Sequence, residues 1–311
     1  MAFRYLLPVL AALTLSACFS TSKPTPPPPV VAPAAPPVKL KIGLALGGGA
    51  AKGFAHIGVI MMLEASGIHV DVVAGTSAGS VVGALYASGM DPFEMQQIAF
   101  GLDEAKIRDV RLFSGGLVQG RALQDYVNQL VHNQSIEQLK LPFAAVSTEL
   151  ETGARTVFVR GNTGQAVRAS SSVPGVFEPV EIRGRHYVDG GVVSPIPVDA
   201  ARQLGADFVI AVDISTRTDG SNPQGMMNIV GQSITIMGQQ LGARETRRAD
   251  VLIRPDLKGI GSTDFAQKNQ AILQGEKAAL AAIPQIRARL AAMEATHQAA
   301  ALPLKPAPSG P

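Results

Sequence analysis

The chain has 311 residues, of which 46% are apolar and 16% charged, with a formal net charge of +3 and one cysteine. That apolar share can fill a large core, and so small a net charge supports neither nucleic-acid binding nor strong attraction to anionic lipid. A lone cysteine excludes an internal disulfide, and five histidines without H-x-x-x-H or C-x-x-C spacing offer no metal site.

Residues 1–17 begin with Arg4, continue through an apolar run over 5–13, and end in Leu15-Ser16-Ala17 before Cys18. A charged start, a short apolar core and small residues before a cut are those of a signal peptide. The run falls short of the roughly 20 residues that span a bilayer. Leu-Ser-Ala-Cys is similar to a bacterial lipoprotein signal, in which the cysteine becomes the first mature residue and is acylated. An ordinary secretory signal with an incidental cysteine is the alternative. Among Gram-negative lipoproteins, which this signal resembles, Phe19 in place of aspartate implies the outer membrane, facing the periplasm, if the source is Gram-negative. Residues 18–38 hold Cys18 and a linker rich in proline, including Pro26 to Pro29, which predicts an extended spacer of about 3.1 Å per residue.

Residues 39–255 are expected to form one domain. Strand candidates at 40–46, 70–74, 143–147, 156–159, 208–214 and 251–253 alternate with helical stretches. That order predicts an α/β fold with a largely parallel central sheet flanked by helices. The first candidate runs into Gly47-Gly48-Gly49-Ala50-Ala51-Lys52-Gly53, and an apolar helix over 54–65 follows. A glycine-rich loop before a helix presents unpaired N–H groups to one point, which suits a phosphate or a developing oxyanion. The phosphate readings fit poorly. No Ser or Thr follows a Gly-Lys pair, and a dinucleotide fingerprint begun at Gly47 would need glycine where Lys52 stands.

The second strand candidate leads into Gly75-Thr76-Ser77-Ala78-Gly79 and a helical run over 78–88. G-x-S-x-G between strand and helix holds its serine on a sharp turn with the hydroxyl presented, and the glycines leave room for an acyl group. The pattern points to a nucleophilic serine in a hydrolase or acyltransferase; an ordinary tight turn is the alternative. Asp91-Pro92 is a cap-plus-proline helix start. Ser170, Ser171 and Ser172 have no glycine frame and read as site wall or helix end. Strand-like His186-Tyr187-Val188 ends in Asp189-Gly190-Gly191, by itself a turn. Pro195-Ile196-Pro197 opens a further helix. Residues 226–242 read as an apolar core helix closed by Arg244, Arg247 and Arg248, with a lid or a membrane-facing helix as the alternative. Residues 256–296 read as an exposed helical extension broken near Pro284, and 297–311 as a tail.

Four of these pieces together resemble the patatin-like phospholipase family, in its bacterial branch, over about residues 40–255. They are the loop 47–53 running into Phe54-Ala55-His56, the Gly75-to-Gly79 elbow, the segment 166–177, and Asp189-Gly190-Gly191. The resemblance implies a three-layer α/β/α sandwich and a Ser–Asp dyad without a catalytic histidine. Ser77 would be the nucleophile and Asp189 its base. Backbone donors around Gly48, Gly49 and Ala50 would form an oxyanion hole. Gly47, Lys52, Gly53, Gly75, Gly79, Gly190 and Gly191 fall on motif positions. The family loop reads G-G-G-x-[KR]-G; here one further residue separates the triplet from Lys52, so Ala50 stands in place of its third glycine. The implied substrates are phospholipids, lysophospholipids or other acyl esters, with no cofactor, and the membrane would be reached through a lipid on Cys18. Lys52 and Arg168 are the only evident cations near the site, so weak head-group selectivity is expected.

Two other readings stay open at this point. A conventional hydrolase triad in the chain order Ser…Asp/Glu…His would need His186 as base. His56, one turn past the glycine loop, reads as packing or hydrogen-bonding there rather than as a proton carrier. A silent envelope scaffold on the same fold is the other alternative.

Overall fold

The computed structural model describes residues 39–102, 118–218, 220 and 223–301. Cys18, the proline linker and the tail beyond residue 301 lie outside the described residues. Five strands carry the parallel part of the sheet: β1 (Ile42–Leu46), β2 (Val72–Thr76), β3 (Phe143–Glu149), β7 (Phe208–Val212) and β8 (Val251–Ile253). Three more, β4 (Arg155–Phe158), β5 (Val180–Ile182) and β6 (Arg185–Asp189), add antiparallel pairings at one side. The order is β5-β6-β3-β2-β1-β7-β8, with β4 also paired to β3. The largely parallel α/β sheet read from the sequence is present; β5, only three residues long, was not foreseen.

β1 and β7 are apolar along their whole length, and β2 and β3 are apolar up to their C-terminal ends, as suits strands covered on both faces. Successive side chains point to opposite faces. Leu44 and Leu46 of β1 join a core of large residues with Val73, Phe143, Phe208, Ile210 and Val212. That core lies under α1 (Phe54–Ala65), α2 (Ala78–Ala87) and α8 (Lys268–Ala301). Ala45, Ala74, Ala144 and Ala211 face the other way, toward Val198, Ala200 and Ala201 of α6 (Val198–Gln203). Small residues on this face let backbones approach closely: a Cβ on Gly43 would lie 2.5 Å from the Ala206 Cβ.

Local signals set several helix ends. Asp91 caps α3 (Pro92–Gly101) by accepting the Phe93 N–H at 2.8 Å. Asn162 caps α5 (Thr163–Ser170) through the Gln165 N–H at 2.7 Å. The expected break at Pro284 does not occur: α8 is one helix running to Ala301. Proline removes the hydrogen bond to the carbonyl four residues back, and that residue, Leu280, lies on an exposed face where solvent can take over the carbonyl. Nor is α8 simply exposed. Ala271, Ile272, Ala279, Ile283 and Ile286 are buried, and glycines bring α8 against α1. A Cβ on Gly58 would stand 2.1 Å from the Ile272 carbonyl oxygen, and one on Gly275 2.0 Å from that of Ala55.

Register brings the motifs to one edge. Leu46 pairs with Gly75 and also with Val212, Thr76 pairs with Val146, and Ser147 pairs with Asp189. The loop after β1, the turn after β2 and the end of β6 therefore emerge beside one another.

Candidate active site

Ser77 is the single residue between β2 and α2 and holds φ 54°, ψ −125°. A non-glycine residue in such a conformation costs about 1–3 kcal/mol, held by its surroundings. The flanking glycines are steric requirements. A Cβ on Gly75 would lie 2.3 Å from the Gly79 carbonyl oxygen, and one on Gly79 2.1 Å from that of Leu46. The Ser77 N–H donates to Ser170 Oγ at 2.9 Å, and that hydroxyl donates to the Val146 carbonyl at 2.6 Å. Ser170, read from sequence only as a wall, thus ties the turn to β3. Nothing in a run of three serines marks which one does this.

The glycine loop lies against the turn. A Cβ on Gly48 would come 3.2 Å from the Ser77 Cβ. Gly47 donates its N–H to the Val212 carbonyl and Gly48 donates to that of Pro195, both at 3.0 Å. Gly48 is therefore not a free donor in this conformation, which corrects the expectation that its N–H belongs to an oxyanion hole. Its contribution is close approach. The amides of Gly49 and Ala50 donate to no backbone carbonyl among the described residues. Ala50 adopts φ 50°, a conformation that glycine would take more readily. His56 is fully buried and braces the loop by donating Nε2–H to the Gly47 carbonyl at 2.8 Å. Burial lowers its pKa to about 4, so it is neutral. Lys52 is buried, donates Nζ–H to Thr216 Oγ1 at 3.1 Å, and has its pKa lowered by desolvation. Gly53 packs on α2, where a Cβ would meet that of Ala78 at 2.7 Å.

Asp189 ends β6. Its N–H donates to the Ser172 carbonyl at 2.8 Å, and its own carbonyl accepts from Thr148 Oγ1 at 2.9 Å. Carboxylate Oδ1 accepts the Gly191 N–H at 2.6 Å. Gly190 has no room for a side chain, since a Cβ would stand 2.1 Å from the Val146 carbonyl oxygen. Asp189 is 6% exposed and Ser77 7%. Burial raises the Asp189 pKa to about 6, against the opposing pull of the Ser77 hydroxyl and the Gly191 N–H. The Ser77 hydroxyl is thus near enough to be felt, yet Oδ2 has no partner with full hydrogen-bond geometry. The contact is longer or less aligned than a formed bond. A buried carboxylate with pKa near 6 beside a hydroxyl can accept that proton at neutral pH.

His186, the base that a triad would need, is half-exposed and pairs its Nδ1 with Glu151 at 2.7 Å. Among the described residues no histidine hydrogen-bonds Ser77.

A further carboxylate was missed entirely. Glu245, on α7 (Met226–Thr246), is buried and accepts from Ser194 Oγ and, at 2.8 Å, from the Ile196 N–H. That loop also takes the Thr76 hydroxyl on the Ser194 carbonyl at 2.8 Å and the Gly48 N–H on Pro195. Glu245 so braces both the residue before Ser77 and the glycine loop. Burial raises its pKa to about 7.

A family description, patatin-like phospholipase, matches residues 44–202. An NTE family protein of Mycobacterium tuberculosis is 34% identical over 207 residues, covering 65% of this chain and 57% of that protein. Patatin-like phospholipase domain-containing protein 6 of Mus musculus is 34% identical over 186 residues, covering 57% of this chain but 14% of its own length. The match therefore spans little more than half of the mycobacterial relative. Among solved structures, VipD from Legionella pneumophila superposes with a TM-score of 0.57 over 81% of this chain and 68% of VipD, at 15% identity. That likeness concerns the fold.

Proposed function

The chain belongs to the patatin-like phospholipase family, and on that premise we propose that it is a lipid acyl hydrolase working through Ser77 and Asp189. The observation that carries this reading is the strained serine beside a buried carboxylate whose pKa lies near 6, with no histidine bonded to that serine among the described residues. As Ser77 Oγ attacks an ester carbonyl, Asp189 takes its proton. The oxyanion of the tetrahedral intermediate accepts hydrogen bonds from the Gly49 and Ala50 amides. Collapse breaks the ester bond, and the proton returns from Asp189 to the leaving alcohol. Water, deprotonated by the same carboxylate, then attacks the acyl-enzyme; the acyl–Oγ bond breaks, the fatty acid leaves, and Asp189 returns the proton to Ser77 Oγ.

The substrates are acyl esters such as phospholipids and lysophospholipids. Lys52 is committed to Thr216, which supports weak selectivity for the head group. The same reading takes Cys18 as a lipidated first residue, holding the enzyme in a bacterial envelope through the proline linker. Fluorophosphonate labelling tests the nucleophile. Wild type should be labelled and should hydrolyse a panel of phospholipids and p-nitrophenyl esters, and Ser77→Ala should do neither. Equal labelling of both proteins would remove Ser77 from the reaction.

A further inference from the structure

Residues 226–242, expected to pack in the core, do not. α7 carries no charged side chain from Met226 to Ala243. Met226, Val230, Ile234 and Met237 recur at helical spacing and are 79%, 48%, 55% and 61% exposed. Ile229 and Ile236, also exposed, flank them. An amphipathic helix ordinarily turns such a stripe inward. Here the opposite side, with Gln232, Thr235 and Gln239, is the more covered one, and Gln239 Nε2 donates to the Thr216 carbonyl at 3.2 Å. The helix is mounted with its polar side toward the protein and its apolar side outward.

Among the described residues of α7, only Gly242 and Glu245 at its C-terminal end are buried. Gly242 packs on Ile196, and Glu245 holds Ser194 and Ile196, the loop that braces Gly48 and Thr76. The stripe therefore projects from the structure that supports Ser77. Exposed Arg244 and Arg247 follow it and form no ion pair among the described residues.

We propose that α7 lies in the boundary between head groups and acyl chains of a lipid bilayer, apolar stripe inward, and holds the Ser77 site against that surface. The proposal rests on reading the Ser77 site as a lipid acyl hydrolase, whose substrates reside in such a surface. The two arginines match the level of the lipid phosphates. A helix whose polar side is amide and hydroxyl rather than lysine binds through apolar burial, so binding persists at high salt and favours curved bilayers with packing defects.

The test uses the full chain with Cys18→Ala and Ser77→Ala, so that neither acylation nor turnover intervenes. It is sedimented with small dioleoylphosphatidylcholine vesicles, at low and high salt. Adding Ile234→Asn with Met237→Asn should weaken binding about tenfold or more. Met226→Gln, at the free start of the helix, serves as a second variant that touches no packing and should weaken binding in the same direction. With Ser77 intact, the same α7 substitutions should leave p-nitrophenyl ester turnover unchanged and lower vesicle phospholipid turnover in proportion to binding. Unchanged binding by both α7 variants would overturn the proposal. So would a wild-type dimer, seen by sedimentation velocity and dissolved by these substitutions, in a protein that ignores vesicles. Vesicle binding without any ester turnover would sink the hydrolase reading alone, and ester turnover without α7-dependent binding would sink this one alone.

Discussion

Asp189 has one carboxylate oxygen committed to its own turn and one without a fully formed bond. The first explains why the residue stays in place, and the second leaves it able to take a proton. Because burial lifts its pKa to about 6, the base form accumulates as pH rises through that value. The acidic limb of kcat/KM on a soluble ester should accordingly fall near pH 6; a limb near 4 would mean that a different group is titrating. Asp189→Asn should lower turnover by a factor of about 10² or more. Ser77→Ala should abolish it, and the double variant should be no worse than Ser77→Ala, since both residues serve one proton transfer. His186→Ala should keep most of the activity, and a loss comparable to that of Asp189→Asn would restore the triad reading. Stability runs the other way from turnover. A carboxylate whose folded pKa exceeds its unfolded value of 3.8 destabilises the fold when ionised. Wild type therefore loses up to about 3 kcal/mol at this group as pH rises from 4 through 6. Melting curves should show Asp189→Asn gaining on wild type between pH 4.5 and pH 8.

Glu245 makes a similar statement for an element. It joins α7 to the loop that supports the site, with both carboxylate oxygens engaged. A glutamine there can accept from the Ile196 N–H and donate to Ser194 Oγ, so Glu245→Gln should fold and keep soluble-ester turnover. Glu245→Ala should lose both melting temperature and turnover. The pKa rises from 4.5 to about 7 in the fold. Ionisation between those values therefore costs wild type stability that the glutamine variant does not lose, on the order of 3 kcal/mol by pH 8. A melting temperature for Glu245→Gln that drops relative to wild type as pH rises would contradict the assigned burial. Between α1 and α8 the limit is steric. Gly58→Ala forces a methyl into the Ile272 carbonyl, and overpacking of this kind costs roughly 1–3 kcal/mol, readable in urea melts. Elements with a strong local signal were legible in sequence: the apolar runs of β1, β2, β3 and β7, the Asp91-Pro92 cap, the strand–turn–helix around Ser77. Short β5 and the continuity of α8 were not, because pairing and packing rather than local preference decide them.

At the scale of the whole molecule, two attachments to membrane are expected, one through Cys18 and one through α7. The first is read by metabolic labelling with a clickable fatty acid: wild type should be marked and Cys18→Ala should not. Equal labelling would remove the anchor while leaving the Ser77 site untouched. The sequence by itself determined where the chain turns, because a glycine-framed serine between strand and helix and an aspartate before two glycines are local signals, whereas the contacts that bar a side chain at Gly79 and Gly190 are made with Leu46 and Val146 of other strands. It likewise determined the central strands, because runs of apolar residues between turns have few other places to go. Tertiary structure decided what lies far apart along the chain. Register set Asp189 rather than His186 beside Ser77 and gave Ser170 its place under the turn. The Pro195 carbonyl took the Gly48 N–H, while those of Gly49 and Ala50 have no backbone acceptor among the described residues. Mounting of α7 by its C-terminal turn sent the apolar stripe outward. Periodicity reports that a helix has an apolar side, but which way that side faces depends on the surfaces the rest of the chain leaves for it.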